Sequence, residues 1–507
     1  MYSGVLALLN RSLRFDVRSR AVHLIRFGLM LAIYLAIIQA QLIGGWTGAP
    51  GLTFFKSILS MDLMFLTLIG ISAYSSPITE EKEEDSLGLI LMAGVNPLGL
   101  LLGKSGGRLM QSLALLLVQI PFALLAITLG GIGMGQIMAA YVAFSAYLAL
   151  LAGVGMLMST ICSNSRRSSQ MMVVFLILYY FVPSYCQSLR INQNLKWSNL
   201  WLMLLESVSE MSVFSQMDEI VSSDYKSLVW SIQFISNIAG GLLAFVLAWL
   251  LFDLCTRSPQ AEANPRGLIS SKASRLSLFR PGRVRFHPLV WKEFHFVVRG
   301  IGGILLRVGC YSAILLMLIY SETATSMKEI SQVFLGSLVF FLPIDASLLI
   351  SRSMQDEVRG QTISALVMLP RSLPEILYPK IAGALIGLAP GLFFGICALI
   401  MSDLFVELER AVSWQGLGIL LFLIIYMMLV PHLTAVLAMI VRWGATPLAI
   451  AAAYALMMAE SVFMMPLIVL QVLNPEFYMW IIAIVNIVLC VACHFEVRRR
   501  FRLLAEK

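Results

Sequence analysis

The sequence predicts an all-α, polytopic membrane protein of about 12 transmembrane helices, arranged as two parallel six-helix repeats. Three observations predict it. The 507 residues are 59% hydrophobic and only 13% charged, and the apolar residues come as long runs rather than as amphipathic stripes. Crossing about 30 Å of hydrocarbon takes about 20 consecutive apolar residues, and the chain supplies such runs repeatedly. Basic residues collect in every second connection between these runs, as the positive-inside rule requires. One loop pattern of acid, hydroxyl, apolar stripe and lysine occurs twice, at the same place in each half.

The apolar runs place spans near 24–44, 54–76, 103–129, 135–161, 169–187 and 232–255, then 301–320, 330–351, 378–401, 414–441, 445–471 and 476–495. Arg11, Arg14, Arg18 and Arg20 precede the first span with no small-residue cleavage site, so this run reads as a retained signal anchor with a cytoplasmic N-terminus. The next cytoplasmic connections carry Lys82, Lys104 and Arg108, then Arg166 and Arg167. A long central connection adds Arg257, Arg266, Lys272, Arg275, Arg280, Arg283, Arg285, Lys292 and Arg299. Arg352, Arg359, Arg371, Lys380 and Arg442 follow, and Arg498, Arg499, Arg500 and Arg502 close the chain. The opposite connections, 44–51, 130–135, 321–329 and 403–410, are poor in base. The alternation predicts an even number of spans, a multi-pass protein of the inner (plasma) membrane, and both termini in the cytoplasm. It also accounts for the net charge of +8 without nucleic acid as a partner.

One outer connection, 187–230, is long, and within it 196–206 reads as an amphipathic helix with Trp197 and Trp201 on one face, suited to the membrane interface. The stretch 256–290 is a basic cytoplasmic linker without an apolar run, placed to touch anionic headgroups. It divides the chain into a first half, 1–255, and a second, 291–507.

The loop after the second span of each half aligns without gaps. Glu81 meets Glu357, Ser86 meets Thr362, Leu87 meets Ile363, Met92 meets Met368, Leu101 meets Leu377 and Lys104 meets Lys380. Acid and hydroxyl at a helix start suit its free N–H groups and dipole. The stripe forms a short helix lying along the membrane surface, and Lys104 and Lys380 are placed to snorkel at the inner boundary. A weaker repeat opens each half, Leu24-Ile-Arg-Phe-Gly28 against Leu305-Leu-Arg-Val-Gly309. Both halves have the same orientation, so the duplication is parallel.

This layout resembles the permeases of type-2 ABC exporters. Their half-permeases have an entry helix, six spans and a coupling helix between spans two and three, in a loop that reads Glu, Ser/Thr-Leu, a short apolar helix, Pro and Gly-Lys. Glu81, Ser86-Leu87, Pro97 and Gly103-Lys104 match it, as do Glu357, Thr362-Ile363, Pro370 and Lys380; Pro288-Leu-Val-Trp-Lys-Glu293 resembles the entry helix. The second half departs in having Tyr378-Pro-Lys380 for Gly-Lys and no long segment between its last two spans. The resemblance implies a membrane permease subunit that is not itself an enzyme. It implies coupling through Glu81, Ser86, Leu87, Lys104, Glu357, Thr362, Ile363 and Lys380 to separate cytoplasmic ABC ATPase subunits, which would hold the ATP and Mg. The two halves would then form a pseudo-dimer for an unknown exported substrate.

Other signals are weaker. Gly99-Leu-Leu-Leu-Gly103-Lys104-Ser105 has one residue too few between its glycines for a phosphate loop. Cys490-Val-Ala-Cys493-His494 spells a haem attachment motif on what reads as the wrong side of the membrane. The seven scattered cysteines suggest no disulfide framework, and no cofactor or metal cluster is expected on this chain. Asp62, Asp345, Glu460 and His432 fall within spans, where a carboxylate costs about 2.5–3.5 kcal/mol at mid-membrane. They leave an ion-coupled secondary transporter with parallel repeats as an alternative, and a non-transporting membrane scaffold as a third reading.

Overall fold

Proline stands in the first turn of the helices that begin at Pro77, Pro97, Pro288 and Leu373, where its missing N–H leaves no intrahelical bond unmade. Asn96 accepts from Leu98 N–H at 3.4 Å and caps the helix that Pro97 opens. Between such starts the apolar runs fold as helices. The computed structural model describes residues 20–47, 50–191, 199–222, 225, 230–256, 284, 287–320, 326–402, 414–440, 445–469 and 475–506; among them there is no strand. The chain divides into two compact units between Pro265 and Arg266.

In the first unit the helices are α1 Arg20–Thr47, α2 Pro50–Ile69, α3 Pro77–Glu83, α4 Leu87–Met92, α5 Pro97–Leu129, α6 Met134–Ile161, α7 Ser165–Ile191, α8 Asn199–Glu210, α9 Val213–Val221 and α10 Ile232–Thr256. A π-helical turn, Gly70–Tyr74, continues α2 towards α3. In the second unit they are α11 Pro288–Phe296, α12 Gly300–Tyr320, α13 Met327–Arg359, α14 Ile363–Val367, α15 Leu373–Leu385, α16 Ala389–Met401, α17 Trp414–Ile440, α18 Ala445–Val469 and α19 Pro475–Ala505. Arg299 (φ 71°) and Gly300 (φ 57°) are both left-handed, which breaks the helix between α11 and α12 and bends the pair by 53°.

Helices occupy the described part of every stretch read as a span. Among the described residues eight helices are long and apolar enough to cross a membrane, or nine if the bent pair counts as one span. The helices at 24–44, 169–187 and 445–471 include residues whose side chains lie outside the description. So do most of the linker expected over 256–290 and Trp197; the helix expected over 196–206 is α8, beginning at Asn199.

α6 is the central helix of the first unit. It is apolar on all sides and buried along most of its length, with Phe144, Tyr147, Leu148, Leu151 and Met156 fully enclosed. Small residues let it approach its neighbours closely. A Cβ added at Gly153 would lie 2.0 Å from the carbonyl oxygen of Gly241 on α10, and one at Gly155 would lie 2.6 Å from that of Tyr74. In the second unit the core lies between α13, α14, α15, α17 and α19, where Ile350, Met354, Ile363, Leu377, Ala438 and Phe501 pack together.

Gly309, half of the weaker repeat, has open space around its Cα, as does Gly28. Gly153→Leu should therefore lower the stability of the detergent-solubilised protein by at least about 1–3 kcal/mol through overpacking. Gly309→Leu should leave the thermal unfolding midpoint within about 0.5 kcal/mol of the parent.

Candidate functional site

The two loops singled out by the sequence have helix boundaries in one constant register, 276 positions apart (81 to 357, 104 to 380). The helix before the loop ends at Glu83 in one and Arg359 in the other. The chain then turns through a left-handed residue, Asp85 (φ 51°) or Gln361 (φ 52°). The short helix starts at Leu87 or Ile363, and the next long helix starts at Pro97 or Leu373. Backbone hydrogen bonds repeat as well. Ser86 N–H donates to Glu81 O at 3.0 Å and Thr362 N–H to Glu357 O at 3.1 Å.

The left-handed residue turns the hydroxyl back onto the acid. Ser86 Oγ donates to Glu81 Oε2, and Thr362 Oγ1 donates to Glu357 Oε2. The hydroxyls therefore do not cap α4 and α14, as a residue at the start of a helix is expected to do; neither makes a side-chain capping bond. Each is a strut on a carboxylate, whose other oxygen takes the lysine of the next helix. Glu81 Oε1 pairs with Lys104, and Glu357 Oε1 pairs with Lys380 at 2.7 Å. For Lys380 this contact corrects the expectation of snorkelling, since its ammonium is enclosed among carboxylates. Lys380 is only 1% exposed.

The two joints differ in their neighbours. In the first unit α5 makes a second rung one turn on, where Arg108 pairs with Glu80 at 3.0 Å, donates to Ser76 Oγ at 3.1 Å and donates to the carbonyl of Ala73. Position 384, the counterpart of Arg108, is Ala384. In the second unit the extra charges come from α11 instead. Glu293, 1% exposed, pairs with Lys380, and Lys292 pairs with Glu357 at 2.7 Å. Gly383 lets α15 and α11 approach, since a Cβ there would lie 2.6 Å from the carbonyl oxygen of Val290. Two carboxylates and two ammonium groups thus form one neutral cluster. An enclosed charge is tolerable only when paired in this way.

Both short helices bury one apolar side chain and carry an exposed methionine at or just past their end. Leu87 packs with Ile78, Leu100, Leu101, Met156, Ala248 and Phe252, while Ile363 enters the core of the second unit. Met92 is 79% exposed and its counterpart Met368 is 84% exposed. In the first unit the loop is further locked to the α6–α7 connection. Lys82 Nζ donates to the carbonyls of Thr160 (2.5 Å) and Cys162 (3.1 Å) at the end of α6. Ser165 N–H donates to Glu83 Oε1 at 2.7 Å at the start of α7. Ser159 Oγ accepts from Ile78 N–H (2.8 Å) and Thr79 N–H (3.0 Å).

The acids within spans have partners other than the groups of the joints. Asp62 on α2 is buried beside Gln119 of α5 and Tyr141 of α6. Asp62 Oδ2, Gln119 Oε1 and the Tyr141 hydroxyl have no hydrogen-bond partner among the described residues. Asp345 on α13 is held by Arg307 of α12 through Nε at 2.9 Å and Nη2 at 3.0 Å. Glu460 on α18 lies beside Asn486 of α19, with Oε1 unpartnered. The sequence alone marks Lys292 as a cytoplasmic base, Glu293 as the end of the entry-helix resemblance and Arg307 as part of the weaker repeat, and shows none of their ion pairs. For Arg307 the signal was an arginine inside an apolar run with an acid in the next span; for Glu293 it was only a lone acid in an aromatic stretch.

The chain matches no protein-family model and no curated protein.

Removing one partner from an enclosed cluster leaves the others unpaired. Lys380→Met should cost about 3–5 kcal/mol, because buried Glu293 then loses its ion pair and Glu357 keeps only Lys292. Lys104→Met, at a half-exposed pair, should cost about 1 kcal/mol or less. Thermal unfolding of the two variants in one detergent gives the comparison.

Proposed function

We propose that the chain is the membrane permease of an ATP-binding-cassette exporter, with 12 spans in two parallel six-span halves and both termini at the cytoplasmic face of the plasma membrane. A separate cytoplasmic ATPase, carrying the ATP and Mg, energises it. The observation that carries this reading is the pair of joints: acid, hydroxyl and lysine in one register, each supporting a short helix whose methionine faces solvent. A flexible, polarisable methionine at the end of a helix anchored by one buried side chain suits contact with an apolar cleft on another protein.

The route by which such a contact would move the spans can be followed residue by residue. A push on Met92 reaches Leu87 through one and a half turns of α4, and from there α5, α6 and α10. Lys82 and Glu83 carry the same displacement into the ends of α6 and α7. In the second unit Ile363 passes it to α13, α15, α17 and α19, and the Glu293–Lys380 pair draws α11 with them. The ion pairs keep each loop from absorbing the displacement by bending. Glu81, Ser86, Lys104, Glu357, Thr362 and Lys380 therefore act as stiffeners, and Leu87 and Ile363 as the points where force enters.

One observation favours a second reading, an ion-coupled transporter. Asp62 and Glu460 each keep an unpartnered carboxylate oxygen inside a helical span. Asp345 fits that role less well, being tied by Arg307.

The test is affinity purification of the intact chain from its native membrane. Met92→Glu with Met368→Glu should lower the amount of ATPase recovered with it by at least about 30-fold, as loss of even one hot-spot contact of about 2 kcal/mol would. The chain itself should remain monodisperse. If no ATPase accompanies the unaltered chain, and transport survives ATP depletion but fails in Asp62→Asn or Glu460→Gln, the second reading replaces the first. Absence of any substrate-dependent behaviour would leave a membrane scaffold.

A further inference from the structure

A second set of polar side chains gathers on the outer surface of the second unit, at one end of its helices. On α19 the exposed apolar residues Ile484, Val488, Val491 and Phe495 recur at intervals of four, three and four, the spacing of one helix face. The next position on that face, three residues on, is Arg498. On α17 the exposed Leu420, Ile424 and Met428 lead at the same spacing to His432. On α15 the exposed Ala382 lies one turn from the exposed Tyr378. Two apolar faces suited to acyl chains therefore each end in a polar residue, and Tyr378 of α15 meets them there.

Arg498 Nη2 donates to the Tyr378 hydroxyl, and its guanidinium carbon stands 5.6 Å from the centre of that ring. The Tyr378 hydroxyl is 3.1 Å from His494 Nε2, and the two rings stack at 5.8 Å with 9° between their planes. Accepting from Arg498 leaves the phenol O–H free to donate to Nε2, and in that tautomer His494 Nδ1 is a donor. His432 lies 6.5 Å from His494 ring to ring and uses Nδ1 on the Met428 carbonyl at 2.7 Å.

The charge here is unbalanced. Arg498 makes no ion pair among the described residues, and its Nε is buried without a hydrogen-bond partner. The acids nearest in sequence are engaged elsewhere: Glu496 pairs with Arg499 (2.9 Å) and Arg500 (2.7 Å), and Glu375 accepts from Ser372 at 2.8 Å. A guanidinium is a planar fork of donors matched to phosphate, and one at the foot of an apolar face needs an anion that shares that boundary. The geometry points to a site for the headgroup phosphate of an anionic phospholipid, held by Arg498 and His494, both positioned by the Tyr378 hydroxyl, with the acyl chains along Val491 and Phe495. It requires only that these helices lie in a bilayer and stands apart from the transport reading.

Native mass spectrometry of the purified full chain in detergent, titrated with phosphatidylglycerol or phosphatidylcholine, tests it. Phosphatidylglycerol should be retained about tenfold more strongly, the scale of a charge-assisted pair. Arg498→Gln should reduce that preference to within about twofold, and His494→Gln should reduce it in part. Arg499→Gln, whose arginine is paired to Glu496, should leave it unchanged. Arg498→Gln alters a surface side chain, so retention of the other lipid reports that the variant is folded. Equal retention of both lipids by the parent, an unchanged preference in Arg498→Gln, or displacement of the lipid by excess inorganic phosphate would each overturn the assignment; the last would make the site one for free phosphate.

Discussion

An ion pair between the end of one long helix and the start of the next, made once in each unit, holds the connecting loops in the form on which the rest depends. Without it, two dozen residues between apolar helices would have every reason to fray, because their polar backbone finds water on all sides. With it, the acid anchors three things at once: the lysine of the following helix, the hydroxyl at the start of the short helix, and the turn that the left-handed residue makes. The short helix cannot swing away unless the carboxylate gives up both its partners. Loops built this way transmit displacement instead of dissipating it.

The two units reach the same joint with different supports. The first adds Arg108 and Glu80 beside the pair, then ties the loop to the ends of α6 and α7 through Lys82 and Glu83. The second encloses its lysine and recruits α11, whose Glu293 and Lys292 balance the charge. Enclosure raises the cost of breaking any one contact, since water cannot replace the missing partner. The second joint is therefore the stiffer, while the first spreads its load over more elements.

Much of this was legible in the residues because spacing survives folding. A constant offset of 276 between Glu81 and Glu357, Ser86 and Thr362, and Lys104 and Lys380 carried directly into matching helix ends. Long apolar runs became helices for the same reason that they were recognisable, since a backbone in an apolar medium must satisfy its own hydrogen bonds. The hydroxyls were misread as caps because the sequence carries no sign of a left-handed angle at Asp85 or Gln361, both ordinary L residues. The pairing of Glu293 escaped notice because its partner lies 87 positions away and only the bend at Arg299 and Gly300 brings α11 back to α15. Tyr378, His494 and Arg498 were visible singly, but their meeting depends on how α15, α17 and α19 pack.

In the proposed permease, Met92 and Met368 are the contact points of one kind of partner. Replacing each in turn with a photoreactive phenylalanine analogue in the native membrane, irradiating, and identifying the captured protein by mass spectrometry tests it most directly. The account predicts that both positions capture the same nucleotide-binding ATPase. Capture of unrelated proteins at the two positions, or of lipid alone, would contradict it.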